Sequence, residues 1–465
     1  MRNDLRLTDN PALYAAAKSG MPVYVVYIHD TAQPWAVGGA SKWWLHHSLH
    51  AFTHALGGNL NLYIGDSAEV IRNLVKRLGV THLYWNRTYE PAAIQRDTSL
   101  KATLRQQGVQ VESFNGSLLQ EPCDVRNKSG EPFKVFTPFW RALQTLPMRT
   151  SLPTCQPTCL RDNKALPLDA LDLLPRIKWD SGLAQHWQAG EAAADDRLEA
   201  FIANTLPRYA DSRDLPAVQG TSRLSPHLHF GEISPIRVWH RIKQEVEKSP
   251  NFGQQADKFF SELAWREFSA HLLTHTPSLP DTPLRTEFAA FPWQADYAEN
   301  LTRWQRGQTG FPIIDAGMRE LWHTGYMHNR VRMLVASMLV KNMLIPWQEG
   351  EKWFWDTLVD ADLANNSASW QWVAGCGADA APYFRIFNPV LQGQKFDPDG
   401  TYVRRWVPEL AKLDTRYIHA PWEAPKDILL QAGIMPGTTY PRPCIDLKAT
   451  RDRALAAFAK IRKAG

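Results

Sequence analysis

Along residues 1–116 the apolar positions switch between two periods. Short runs rich in β-branched and aromatic residues, at 22–28 (PVYVVYI), 59–64, 80–85 and 109–114, predict strands, since a strand covered on both faces reads as a near-continuous apolar run. Between them, at 10–19, 42–56, 66–79 and 92–107, apolar residues recur every three or four positions and several stretches close on Gly, which predicts helices. Strands alternating with helices predict a doubly wound parallel sheet of the Rossmann-like α/β class. The opening MRNDLRLTDN reads as a loop leading into a helix. A sheet of this class normally begins with a strand, so the first strand is expected to be missing, through a truncated or misplaced start.

Residues 117–190 are rich in Pro and short apolar fragments (SLPTCQPTCLRDNKALPLDALDLLP) and predict a connector laid over the surface. From 191 to 465 the strand signal vanishes, and helical stretches punctuated by GTSRLSPHLHFGEISP, RGQTGFP and DADLANNSASW predict an all-α domain. A chain of 465 residues exceeds the roughly 250–300 at which a single core stops growing, in keeping with this division. No apolar run approaches the roughly 20 residues that span a bilayer, so no membrane partner is expected.

Composition changes this picture in three places. Lys and Arg outnumber Asp and Glu by 52 to 47, which permits a nucleic-acid partner without requiring one. Five scattered Cys fit a reducing cytoplasm, and neither they nor the His show metal-ligand spacing, so no metal is expected. There are 19 Trp, for which core packing is a sufficient account and ring stacking or electron transfer the sharper one.

Four segments carry candidate chemistry. GTSRLSP offers Thr221, Ser222 and Ser225 as phosphate donors at a helix start, although an N-cap with its lead-in loop is the commoner account of such a string. In SELAWREF, Glu262 and Trp265 are three residues apart on one helix face, an acceptor beside a stacking plate that would suit a base; spacing alone favours a half-buried helix face. MHNRVRMLVASMLVKNMLI (327–345) predicts one long amphipathic helix with Asn329 and Met333 one turn apart and Arg332 adjacent. In DADLANNSASWQW, Asp360 or Asp362 could pair with Arg332. On a helix, Trp370 and Trp372 would point about 200° apart, one inward and one outward.

Taken in order, RNDLRLTDNPAL, SGEPFKVFTPFWRAL, GTSRLSPHLHFGEISP, SELAWREF, GYMHNRVRM, ANNSASWQWVAGCGADAAPYFRIFNP and QGQKFDPDG resemble the photolyase/cryptochrome flavoproteins, most closely the class I cyclobutane pyrimidine dimer photolyases. The resemblance implies an α/β antenna domain, a connector and a helical FAD-binding domain. It implies FAD contacts from Tyr209, Thr221, Ser222, Arg223, Leu224, Ser225, Phe259, Arg332, Asp360, Ala361, Asp362 and Asn366, with Asp360 paired to Arg332 and Asn366 facing flavin N5. Trp370, Trp347 and Trp293 match the family's electron-relay chain. Glu262, Trp265, Asn329, Arg330, Met333, Trp372 and Gln392 match its dimer and DNA contacts.

The implied activity is light-driven opening of pyrimidine dimers in damaged DNA by a cytoplasmic monomer. Glu262 would hydrogen-bond the dimer. A second, antenna chromophore is implied, with methenyltetrahydrofolate and 8-hydroxy-deazaflavin both open. A cryptochrome-type light receptor and a six-four photolyase are the alternatives, the latter disfavoured because Met333 stands where a second His is expected.

Overall fold

The computed structural model describes residues 1–379 and 384–464. Two compact units make up the chain. One combines Met1–Pro207, Ser222–Pro277 and Val359–Ala364; the other combines Arg208–Thr221, Ser278–Leu358 and Asn365–Gly465.

The first unit opens with α1 (Pro11–Lys18), β1 (Val25–Asp30), α2 (Gly39–Ala55), β2 (Leu60–Gly65), α3 (Ser67–Leu78), β3 (His82–Asn86), α4 (Pro91–Gln106) and β4 (Gln110–Phe114), the alternation that the two periodicities predict. Local chemistry sets the bounds. Asn10 caps α1 by accepting from the Leu13 amide at 3.1 Å, and Pro11 supplies a preset φ at the first helical position. Asp66 caps α3 in the same way, and Gly79 ends it in the left-handed region at φ 63°. The first strand begins at Val25 rather than Pro22 because Pro22 has no N–H and Val23 bridges Cys159 of the connector instead.

β1 runs parallel to β2, from Val25↔Leu60 to Asp30↔Gly65, and β3 parallel to β4, from His82↔Gln110 to Asn86↔Phe114. They form two separate two-stranded sheets. The opening residues touch both: the Met1 amine donates to the Val26 carbonyl at 2.6 Å, and the Arg2 guanidinium donates to the Asn86 carbonyl at 2.6 Å. Further along this unit, Trp44 is fully buried, edge-on to Trp187 and His227, with its indole N–H donating to Glu232 at 3.1 Å. The polar end of the ring is thereby satisfied inside an apolar core.

In the second unit every named element is helical. Its buried Asp315 gathers the Thr309 amide (2.7 Å), the Gly310 amide (3.0 Å) and the Tyr440 hydroxyl (2.6 Å). These bonds make a buried carboxyl tolerable and tie together segments distant in sequence. The single helix expected over 327–345 is shorter. It runs α-helically over Asn329–Ser337, passes into a π-turn at Met338–Asn342 and stops, with Leu344 at φ 53°. The apolar period is unbroken there, so hydrophobic patterning does not reveal the extra residue in the turn. No helix among the described residues is long and apolar enough to cross a membrane.

Candidate active site

In the first unit the 222–225 loop lies against the 359–364 turn. Ser225 opens the short helix Ser225–His229 and donates from its hydroxyl to Asp360 at 2.6 Å. Asp362 faces His229 Nδ1 at 3.6 Å, an ion-pair distance rather than a hydrogen bond. Arg223 holds a left-handed φ of 52°, a conformation uncommon outside Gly, and its guanidinium lies 4.3 Å over the Trp187 ring. Leu224 and Ala361 are buried, as is Phe259, which packs on Phe201 at 4.8 Å. Hydroxyls and a strained turn on one segment, and carboxylates on the other, make a donor set for phosphate beside an acceptor set for hydroxyl or imide groups. That chemistry fits a dinucleotide such as FAD.

The long helix Gly253–His275 carries Glu262 and Trp265 on adjacent turns of one face, as their spacing predicts. Lys258 lies 3.3 Å from Glu262. One face of the Trp265 indole is covered by Phe136, with centroids 3.7 Å apart and planes 6° from parallel.

In the second unit, Asn329, Arg330 and Met333 lie on the helix Asn329–Ser337, with Asn329 exposed and Met333 half-buried. Arg330 is held by Asp214 at 2.9 Å, stacks 4.4 Å over Phe396 and reaches the Met333 sulfur at 3.9 Å. Arg332 donates to the Met327 carbonyl at 2.7 Å and lies 5.2 Å over Tyr326. Asp360 and Arg332, expected as a pair, belong to different units. Tyr209 is buried, with Arg213 5.6 Å over its ring; Thr221 is half-buried. Gln392 sits on the helix Pro389–Phe396, capped by Asn388.

The helix Leu363–Ala374 separates its indoles as expected: Trp370 is buried, while Trp372 is half-buried and donates to the Asp379 carbonyl at 3.2 Å. Trp370 packs edge-on to Trp304 (6.2 Å) and Phe354 (5.0 Å), and Gly350 lies directly beneath it. Trp347 is buried, and Trp293 is half-buried against Phe291 at 4.5 Å.

Asn366 donates to the Glu351 backbone carbonyl at 2.9 Å, and Ser367 donates to the Glu351 carboxyl. Burial pushes that carboxyl up to about 8. Sequence reading missed Glu351, Asp214 and Phe136, because their importance lies in partners distant along the chain. The one local hint was the amide-rich ANNS string itself.

A hydroxyl-rich loop hydrogen-bonded to an acidic turn, on a chain that joins an α/β region to a helical one, is a donor and acceptor set of the class a nucleotide-cofactor protein uses. Residues 259–460 match the FAD binding domain of DNA photolyase, and residues 1–158 match the DNA photolyase family model. The chain is 50% identical to a deoxyribodipyrimidine photo-lyase of Agrobacterium fabrum over 99% of its own length and 97% of the relative's. It is 37% identical to cryptochrome-1 of Arabidopsis thaliana, over 99% of this chain and 70% of that protein. A crystal structure of a bacterial class III photolyase from Agrobacterium tumefaciens superposes with a TM-score of 0.93 at 49% identity, covering 100% of this chain and 97% of the other. The chain belongs to the photolyase/cryptochrome family.

Proposed function

We propose that this protein repairs cyclobutane pyrimidine dimers in DNA, driven by light. The observation that carries the reading is the Glu262–Trp265 helix face. A hydrogen-bonding carboxyl stands one turn from a half-exposed indole that is packed on one face. That pairing suits two linked, carbonyl-rich pyrimidines of one strand flipped out of the duplex together, which costs less when the lesion has already weakened stacking.

Reduced FAD, when bound, supplies the excited-state electron that opens the cyclobutane ring. The chain's own residues bind and orient. Ser222, Arg223, Leu224 and Ser225, with Tyr209 and Thr221, hold phosphate and ribose. Asp360, Ala361, Asp362, Arg332, Asn366 and Phe259 are the residues that would contact the flavin. Asn329, Arg330, Met333, Trp372 and Gln392 would meet DNA and dimer, and Trp370, Trp347 and Trp293 would form a relay of indoles for the electron that a bound flavin takes up. We assign 1–116 to the antenna domain, 117–190 to the connector and 191–465 to the catalytic domain of a cytoplasmic monomer. Methenyltetrahydrofolate and 8-hydroxy-deazaflavin remain the two choices for the antenna.

The test is repair of a UV-irradiated thymine oligonucleotide by the purified flavoprotein plus reductant, under blue light and in the dark. Dimer loss in light alone is expected. A yellow protein that photoreduces but repairs nothing would move the assignment to a light receptor. The carboxyl role has its own readout: Glu262→Ala is expected to lower the repair quantum yield more than dark affinity for damaged DNA. Equal losses in both would show that Glu262 only binds.

A further inference from the structure

The connector segment SGEPFKVFTPFWRAL has no part in the assignments above, yet it reaches the site through one ring. Phe136 is the first residue of the helix Phe136–Thr145 (α5) and is buried; it is the residue stacked on Trp265. Two bare aromatic rings favour offset or edge-on arrangements with centroids about 4.5–7 Å apart. A near-parallel stack at 3.7 Å is therefore imposed by the surroundings rather than chosen by the pair.

Those surroundings are visible. Phe268 stands edge-on to both rings, 5.9 Å from Phe136 and 5.8 Å from Trp265. The connector is pinned to the same long helix on this side of the stack: the Leu119 amide donates to Glu267 at 2.7 Å and the Phe133 amide to His271 at 3.0 Å. Phe139 packs on Phe268 and His271 at 5.1 and 5.2 Å. With one face filled, the indole cannot swing without opening a void against Phe136, and voids in packed interiors are costly.

We infer that Phe136 is a positioning residue for lesion recognition: the connector's ring fixes the plane of Trp265, so the free side of the indole is already oriented for a flipped-out pyrimidine. The inference rests on the reading of Trp265 as a wall of the dimer pocket. Its effect is preorganisation. Ordering one loosened side chain on binding would weaken affinity about two- to tenfold.

The test uses dark anisotropy titrations of the flavin-loaded protein with a dimer-containing duplex and its undamaged twin. Phe136→Leu keeps apolar bulk and removes the ring. It is expected to lower the preference for damaged DNA about two- to tenfold while leaving undamaged affinity in place. Phe136→Tyr should restore the preference. Phe311→Leu, at a buried ring of the second unit that has no part in this cluster, should lower the melting temperature without touching the preference, which separates positioning from general stability. Added to Trp265→Ala, Phe136→Leu should cost nothing more.

An unchanged preference in Phe136→Leu, beside a loss in Trp265→Ala, overturns the inference alone. A full additional loss on the Trp265→Ala background overturns it too. If Trp265→Ala keeps the preference, the wall assignment itself falls and carries this inference with it.

Discussion

Between pH 5 and 9 the parent protein is expected to lose stability that a Glu351→Gln variant keeps. Glu351 is about 1% exposed, and burial raises its carboxyl from an ordinary 4.5 to about 8. The folded protein thus binds a proton that the unfolded chain gives up near pH 4.5. Stability from this group is fully present below that pH, declines as pH rises and is gone above about 8. The full shift corresponds to a loss on the order of 5 kcal/mol, roughly 4 of it between pH 5 and 9. Gln keeps the shape and the hydrogen bond from Ser367 without the charge. Subtracting the two urea-unfolding curves at each pH isolates this residue from Glu267, whose carboxyl burial pushes up to about 7. Parallel parent and variant stabilities across the range would refute the assignment.

The second large effect is expected next door. A Cβ at Gly350 would lie well inside contact distance of three ring carbons of Trp370. Gly→Ala in a helix interior normally gains about 1 kcal/mol. Here overpacking should win, at about 1–3 kcal/mol, because the indole is buried and bounded by Trp304 and Phe354. Gly253→Ala is the control: a Cβ there meets nothing within 4 Å, and that variant should be neutral or slightly stabilised. Thermal unfolding of both, with near-ultraviolet circular dichroism to follow the indole, checks the pair. Equal behaviour of the two variants would count against a crowded Trp370. If Trp370 relays an electron, Gly350→Ala should also slow photoreduction.

What was legible in the chain is what depends on short range. The α/β alternation follows from period and caps, so strands and helices of the first 116 residues fall within a few positions of their expected places. The opposite exposures of Trp370 and Trp372 follow from helix geometry alone. The Phe136–Trp265 stack and the Arg330–Asp214 pair were not legible, since each joins residues more than a hundred positions apart. Nor was the raised carboxyl of Glu351: its sequence surroundings, EGEKWF, are polar enough to read as a solvated face, and only tertiary packing removes the water.

The π-turn at Met338–Asn342 leads, through Leu344, into the helix Trp347–Thr357. A π-turn amounts to one surplus residue wound into a helix. Excising a single position there would let the coil tighten into an ordinary α-turn, which sweeps nearly the same angle with one residue fewer. Trp347, Gly350 and Glu351 all hang from that downstream segment. A one-codon deletion inside 338–342 is thus the rare indel a buried stretch can absorb, leaving that whole group near its neighbours.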